Sequence, residues 1–226
     1  MKTEITQLIE SDDLKEITLE LVEKTLDNEI TDETLKEIPI LKYLVAAKNI
    51  YNSYTDRIFI KKTMKVLLEI GVINWKERVD LTESLKDNES SGTEKILLAI
   101  DGMQTMQKCK VYGKLCRLRA LKKISVDEFL RLTKLIQDSY LEDLLLVPYF
   151  TEKKKDEVFE EEFFPLISLG LIYQEQSEPS PIEKVEPYEL GEHEYYKGGE
   201  INFTYSLSYL GDTLLKCFDE LFPKEN

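Results

Sequence analysis

Apolar residues recur every three or four positions over most of this chain, the spacing that stacks side chains on one face of an α-helix. Ser11 to Asp13 can cap a first helix whose face carries Leu14, Ile17 and Leu21. Thr31 offers a cap for a short second helix. Pro39 suits the first turn of a third, because its missing N–H would find no partner there anyway. Ile40, Leu44, Ala47 and Tyr51 then share a face. A fourth helix is expected from about Asp56 to Ile70, closed by Gly71 in the left-handed conformation that glycine adopts without penalty. Asn74 and Glu77 match a variant of the capping box, in which each side chain meets an unpaired N–H of the first turn. Asp87 to Gly92 reads as a loop.

The longest feature is a single stripe of Ile96, Ile100, Met103, Met106, Cys109, Gly113, Cys116 and Ala120. Its mean step lies nearer the coiled-coil repeat than the straight-helix one, which predicts one long helix buried along its length. Gly113, Cys116 and Ala120 are small enough to let a neighbour approach closely, as an internal bundle contact or as the seam of a homodimer. Ser125 and Glu128 form a full capping box flanked by a hydrophobic staple of Ile124 and Phe129, so a new helix starts there. Ser139 and Glu142 repeat the box before a short helix through Leu144 to about Pro148.

The pattern changes near residue 150. Val158, Phe159, Phe163, Leu166 and Ile167 predict a helix that stops at Gly170, and Leu171 to Tyr173 a short strand. Residues 174–200 are polar and rich in Glu, Pro, Ser and Gly, the composition of a loop. Ile201, Phe203, Tyr205 and Leu207 then alternate with polar residues, predicting a half-buried strand. A last helix carries Leu210, Leu214, Phe218 and Leu221. The expected fold is mainly α: an N-terminal helical bundle over 1–150, then an α+β unit over 151–226 with a small β-hairpin and a long acidic loop at 174–200.

The C-terminal order of helix, Leu169-Gly170-Leu171-Ile172, strand, loop, strand and Leu207-Ser208-Tyr209-Leu210-Gly211 is similar to the second half of a winged-helix domain, where a hairpin wing follows the recognition helix. The resemblance spans about 150–222. It departs from DNA-binding members at both contact elements. Asp156, Glu157, Glu160, Glu161 and Glu162 occupy the helix that would read DNA, and the wing adds Glu175, Glu178, Glu183, Glu186, Glu189, Glu192 and Glu194. Phosphate would be repelled from both, so the resemblance implies a protein-binding or structural unit. The stretch 38–150, with Ile38-Pro39, Lys61-Lys62, Leu97-Leu98 and Ile124 to Phe129, resembles a group of uncharacterised bacterial and prophage-associated helical proteins. That resemblance implies fold, an association with phage defence, and no functional residue.

Composition narrows the function classes. The 226 residues are 42% hydrophobic and 33% charged, with a net charge of −14, which opposes nucleic acid and anionic lipid as main partners. Cys109, Cys116 and Cys217 have no paired spacing, so free thiols in a reducing cytoplasm are expected. The first residues lack the apolar run of a secretory signal, and the longest apolar candidate, Ile38 to Ile50, is broken by Lys42 and Lys48.

No catalytic constellation stands out. His193 is the only histidine and sits between Glu192 and Glu194 in a polar stretch, whereas a catalytic base must be held by packing. Cys109 and Cys116 share a helical face without a nearby histidine and do not make a zinc site. Gly113-Lys114 lacks the rest of a phosphate loop. No cofactor, no metal and no enzymatic activity are expected. One stretch opposes the acidic bulk: Lys108, Lys110, Lys114, Arg117, Arg119, Lys122 and Lys123 follow one another with no acid between them. These residues either pair with acids of the same chain, the C-terminal helix included, or form an interaction patch. With only Tyr112 interleaved, an acidic protein surface suits such a patch better than nucleic acid. The reading is a non-enzymatic adaptor of bacterial or phage origin with a protein partner. A nucleic-acid-associated regulator using 108–123 is the alternative, and a membrane-peripheral role for Ile40, Leu41, Leu44 and Val45 ranks behind both.

Overall fold

Helix starts follow local chemistry closely. The computed structural model describes residues 4–19, 54–153, 161–176, 178–179, 181, 183–185, 195–197, 199 and 203–223. The helices expected after Thr31 and Pro39, the acids Asp156 to Glu160 and His193 lie outside the described residues. The fold is mainly helical with a small antiparallel sheet. The chain forms two units: Met1–Leu141 with Cys217–Asn226, and Glu142–Lys216. The division falls before residue 150, and the C-terminal residues belong with the first unit.

The first unit begins with α1 (Glu4–Ile9) and a helical stretch at 14–19. Then come α2 (Tyr54–Ile70), α3 (Trp75–Leu85), α4 (Gly92–Gly102), α5 (Met106–Ala120) and α6 (Val126–Asp138). Asn74 and Glu77 close the expected box at α3, and Ser125 and Glu128 do so at α6. A third box, Ser91 with Glu94, starts α4 where the sequence reading saw only a loop end. Each box satisfies two otherwise unpaired donors, worth about 1 kcal/mol per cap.

Three expectations need correction. The stripe from Ile96 to Ala120 is two helices, because Met103 and Thr105 are extended and the Thr105 hydroxyl caps α5 by accepting from Lys108 N (3.2 Å). Met103 is nevertheless fully buried in the turn, so the apolar rhythm passes through the break unchanged. Gly71 ends α2 without a left-handed backbone; a Cβ there would stand 3.0 Å from Leu67 O, a tight contact. The Ser139 hydroxyl donates back to Leu135 O (2.7 Å), fastening the end of α6 rather than opening a box with Glu142.

Helix α5 is the axis of this unit. Lys62 acts on Cys109, Val66 lies against Gly113, and Glu69 reaches Arg117, so α2 and α5 run parallel and in step. A Cβ on Gly113 would stand 3.2 Å from the Val66 Cα, which is the close approach that the small residues foretold. The small residues of the stripe therefore meet a neighbouring helix of the same chain. On another side the Tyr112 and Phe129 rings stand 5.9 Å apart. Ile60, Leu67, Leu81, Ile96, Leu115, Leu132 and Ile136 complete the core, each contributing about 1.5–3 kcal/mol by leaving water.

Arg78 is the most deeply buried charged side chain among the described residues, 2% exposed. Its Nε donates to Ile9 O (2.6 Å), and its terminal nitrogens donate to Ile73 O and Ser11 O. It satisfies carbonyls where α1 ends and where α3 is about to begin. Burial lowers its pKa from the usual arginine value, opposed by the charges of Asp12 and Glu77.

The second unit contains α8 (Leu146–Lys153), preceded by the single turn α7 (Leu141–Leu144), which begins at the boundary. A 3₁₀ turn (Glu161–Phe163) leads into α9 (Phe164–Ser168). Helix α9 stops as expected at Gly170, whose φ is 68°. Gly170 N–H bonds to Ile167 O and Leu171 N–H to Leu166 O, the paired bonds of a Schellman motif. Strand β1 (Ile172–Gln176) pairs antiparallel with β4 (Phe203–Leu207), from Ile172 opposite Leu207 to Gln176 opposite Phe203. Between them, inside the stretch read as loop, β2 (Glu183–Val185) and β3 (Tyr195–Lys197) form their own antiparallel pair. Helix α10 (Tyr209–Lys216) follows β4, and α11 (Phe218–Leu221) belongs to the first unit.

Ser208 joins sheet to helix. Its hydroxyl donates to Gly170 O (2.6 Å) and accepts from Gly211 N (3.1 Å). A Cβ on Gly211 would lie 2.2 Å from Leu171 O, so this contact requires glycine. The unit's core is Val147, Phe150, Phe163, Leu166, Leu171, Ile172 and Leu214, with Phe150 and Phe163 packed edge to face at 5.5 Å. Strand β4 is less buried than its alternation suggested: Phe203 is 50% exposed. The sheet leaves the core after its first pair, so the apolar face of β4 runs out into solvent.

Candidate interaction surfaces

The seven cations of 108–123 do not make one exposed face. Lys108 and Lys114, expected either to pair with acids or to join an exposed patch, are buried, 6% and 7% exposed. Lys108 Nζ donates to Gln137 O (2.8 Å) and to Gln104 Oε1. Lys114 Nζ donates to Leu221 O (3.0 Å), putting a positive charge on the last carbonyl of α11. Long aliphatic stems let both lysines cross apolar surroundings while the ammonium finds a carbonyl. Arg117 is half-buried against Glu69 (3.8 Å), and Arg119 donates to Ile124 O (3.1 Å). Lys122 and Lys123 are exposed and pair with Asp80 (2.7 Å) and Glu220 (2.8 Å). Glu220 lies on the acidic C-terminal helix, so this pair was foreseeable. Lys110 is exposed and makes no ion pair among the described residues. Exposed cations that the sequence reading passed over, Lys61 and Lys65, sit one turn apart on α2; their four-residue spacing on its polar face was the available signal.

Burial governs the Cys109 and Cys116 thiols. Burial pushes Cys109 up to about 11 and Cys116 up to about 12, and Tyr112, which shares a hydrogen bond with Cys116, is raised well above the ordinary phenol value by its own burial. A protonated thiol is neither nucleophile nor good metal ligand at neutral pH. Among the described residues no group of His, Cys, Asp and Glu could hold a metal ion. No described helix is long and apolar enough to cross a membrane.

The second unit offers different material. Glu142–Lys216 contains 17 Asp and Glu against 6 Lys, a balance of −11, whereas the rest of the chain has 27 acids against 24 bases, a balance of −3. Most of the net charge of −14 therefore resides in one unit. The same unit exposes Leu145, Tyr149, Phe164, Tyr173, Phe203 and Tyr209. Between α8, β4 and α10 lies an open pocket of about 300 Å³, lined by Phe150, Thr151, Ser206, Leu207 and Asp212. Phe150 and Leu207 give it an apolar floor. Tyr173 stands opposite Ser206 across the sheet, and Tyr209 precedes Asp212 by one helical turn. The Asp212 carboxylate makes no hydrogen bond or ion pair among the described residues. Pairing across the sheet and helix joined these residues; neither charge nor motif singled them out beforehand.

Comparison with protein-family models, curated proteins and solved structures finds no match for this chain.

Proposed function

We propose that this protein is a non-enzymatic adaptor whose second unit binds a protein partner. The observation that carries this reading is the joint exposure of Tyr149, Tyr173, Phe203 and Tyr209 on a unit with a balance of −11. Exposed aromatic side chains set in a charged surface are what protein interfaces use as anchors, while the negative balance opposes a phosphate backbone. In this reading Glu142–Lys216 is a winged-helix-like module turned to protein binding, and the first unit is its scaffold. A bacterial or phage-defence setting is part of the same proposal.

The test is affinity capture from bacterial lysate with the tagged full chain, with and without nuclease, repeated with Tyr149→Ser and Phe203→Ser. A specific protein that survives nuclease and is lost with either variant supports the reading. Capture that depends on nucleic acid, or that ignores both substitutions, overturns it in favour of a surface on the first unit.

A further inference from the structure

We propose that the outer edge of β1 takes up an extended, cationic segment of a protein partner as an added strand. The proposal rests on the protein-binding reading and specifies its mode. Ser208 N–H bonds to Leu171 O (2.9 Å), and the antiparallel register sets Ile172 opposite Leu207. Hydrogen-bonded and non-bonded pairs alternate along such a ladder. Tyr173 and Glu175 therefore turn their N–H and C=O groups towards β4, while Ile172, Gln174 and Gln176 turn theirs away from it. Ile172 is buried, but Gln174 and Gln176 are exposed. Among the described residues no strand pairs with that side of β1.

Such an edge fits one kind of guest, because only an extended chain repeats its own donors and acceptors at the same two-residue spacing. Edges kept from pairing carry Lys, Pro or a bulge. Strand β1 reads Ile-Tyr-Gln-Glu-Gln and pairs with β4 without a bulge. Its side chains select the guest. Tyr173 and Glu175 are exposed and share one face of the strand. Alternation brings every second residue of an added strand beside them and sends the others to the face of Ile172. A lysine or arginine gains directly beside Glu175, and a cation also gains over the Tyr173 ring. Apolar residues suit the opposite face. The surrounding unit, with 17 acids against 6 lysines, draws a cationic segment towards this edge and repels a second copy of itself.

The test titrates the isotope-labelled full chain with a short blocked peptide of alternating Lys and Val, and follows amide hydrogen exchange. An alternating Glu and Val peptide and a backbone N-methylated form of the Lys and Val peptide serve as comparisons. The expected result is saturable slowing of exchange at Gln174 and Gln176, with no change at Tyr173 and Glu175, whose amides already face β4, and none with either comparison peptide. Gln174→Pro removes an outward N–H, which an edge strand tolerates, and should weaken binding about tenfold. Continued protection of Tyr173 and Glu175 shows that the hairpin survives this change. Gln174→Ala, which keeps the N–H, should bind like the parent, and Glu175→Gln should weaken binding about threefold. Absent protection, or shifts spread over the acidic surface and indifferent to Gln174→Pro, overturn the proposal. Protection that grows with protein concentration in the absence of peptide assigns the edge to a second copy and overturns it as well. If the edge fails while the nuclease-resistant partner is still captured, the adaptor reading stands and its partner docks elsewhere.

Discussion

The two units handle polar groups in opposite ways. In Met1–Leu141 with Cys217–Asn226, cations are drawn inward: Arg78, Lys108 and Lys114 are buried, and each ends on backbone carbonyls. In Glu142–Lys216 the movement is outward, with Phe203, Tyr209 and Asp212 left in solvent. A charge near helix ends can serve as internal fastening, because the last carbonyls of a helix have no partner within it. A two-stranded sheet has no such use for charge and too little width to bury both ends of its strands. Solvent exposure of a cation or an aromatic is thus decided by what the neighbouring backbone still lacks.

The largest expected effect comes from removing the inward fastening. Arg78→Met keeps the volume but strands the carbonyls of Ile9, Ser11 and Ile73, and should cost about 4 kcal/mol in denaturant unfolding. A loss below about 1 kcal/mol would mean that water replaces the guanidinium and that the contrast with the second unit is overstated.

Matched glycine substitutions sharpen the comparison. A Cβ on Gly92 would lie 1.9 Å from Thr82 O in the first unit, and one on Gly211 2.2 Å from Leu171 O in the second. Each alanine variant should lose about 2–3 kcal/mol. Hydrogen exchange should place the loss in the unit that carries the substitution; equal deprotection of both by Gly211→Ala would show that they unfold as one.

A smaller effect of opposite sign is expected at Lys122, which has φ 57° at the end of α5. Its N–H bonds to Arg119 O and that of Lys123 to Leu118 O, the geometry glycine serves elsewhere in the chain. Lys122→Gly should raise stability by about 1 kcal/mol, less the small contribution of the exposed pair with Asp80. An unchanged or lower melting temperature would show that the ion pair outweighs the backbone strain.

The smallest effect is electrostatic. The hydrogen bond from Lys95, and then the N–H groups of Ser90 and Glu89, hold the Asp87 carboxyl well below the usual carboxylate range. A carboxyl whose folded pKa is depressed stabilises the fold above its unfolded value of about 4, and the benefit drains away as pH falls towards the folded value. Asp87→Asn should therefore be less stable than the parent at neutral pH, and the gap should close on acidification. A gap that persists in acid would point to the turn geometry instead of the charge.

The sequence by itself determined the starts of α3 and α6, the end of α9 at Gly170 and the close approach at Gly113. Each depends on one to four neighbouring residues: the Asn74 and Ser125 boxes need only a side chain and an N–H three positions on. The acidic balance and the lack of paired cysteine spacings were legible for the same reason. Tertiary structure alone decided which cations of 108–123 remain at the surface, because the partners of Lys108, Lys114 and Lys123 are Gln137, Leu221 and Glu220, as much as 107 residues away. It also decided the break at Thr105, which an unbroken apolar stripe conceals since burial of Met103 preserves the rhythm through the extended residues. The pocket belongs to the same class: Thr151, Ser206 and Asp212 share no motif, and only the pairing of β1 with β4 and the packing of α8 beside α10 put them around one opening.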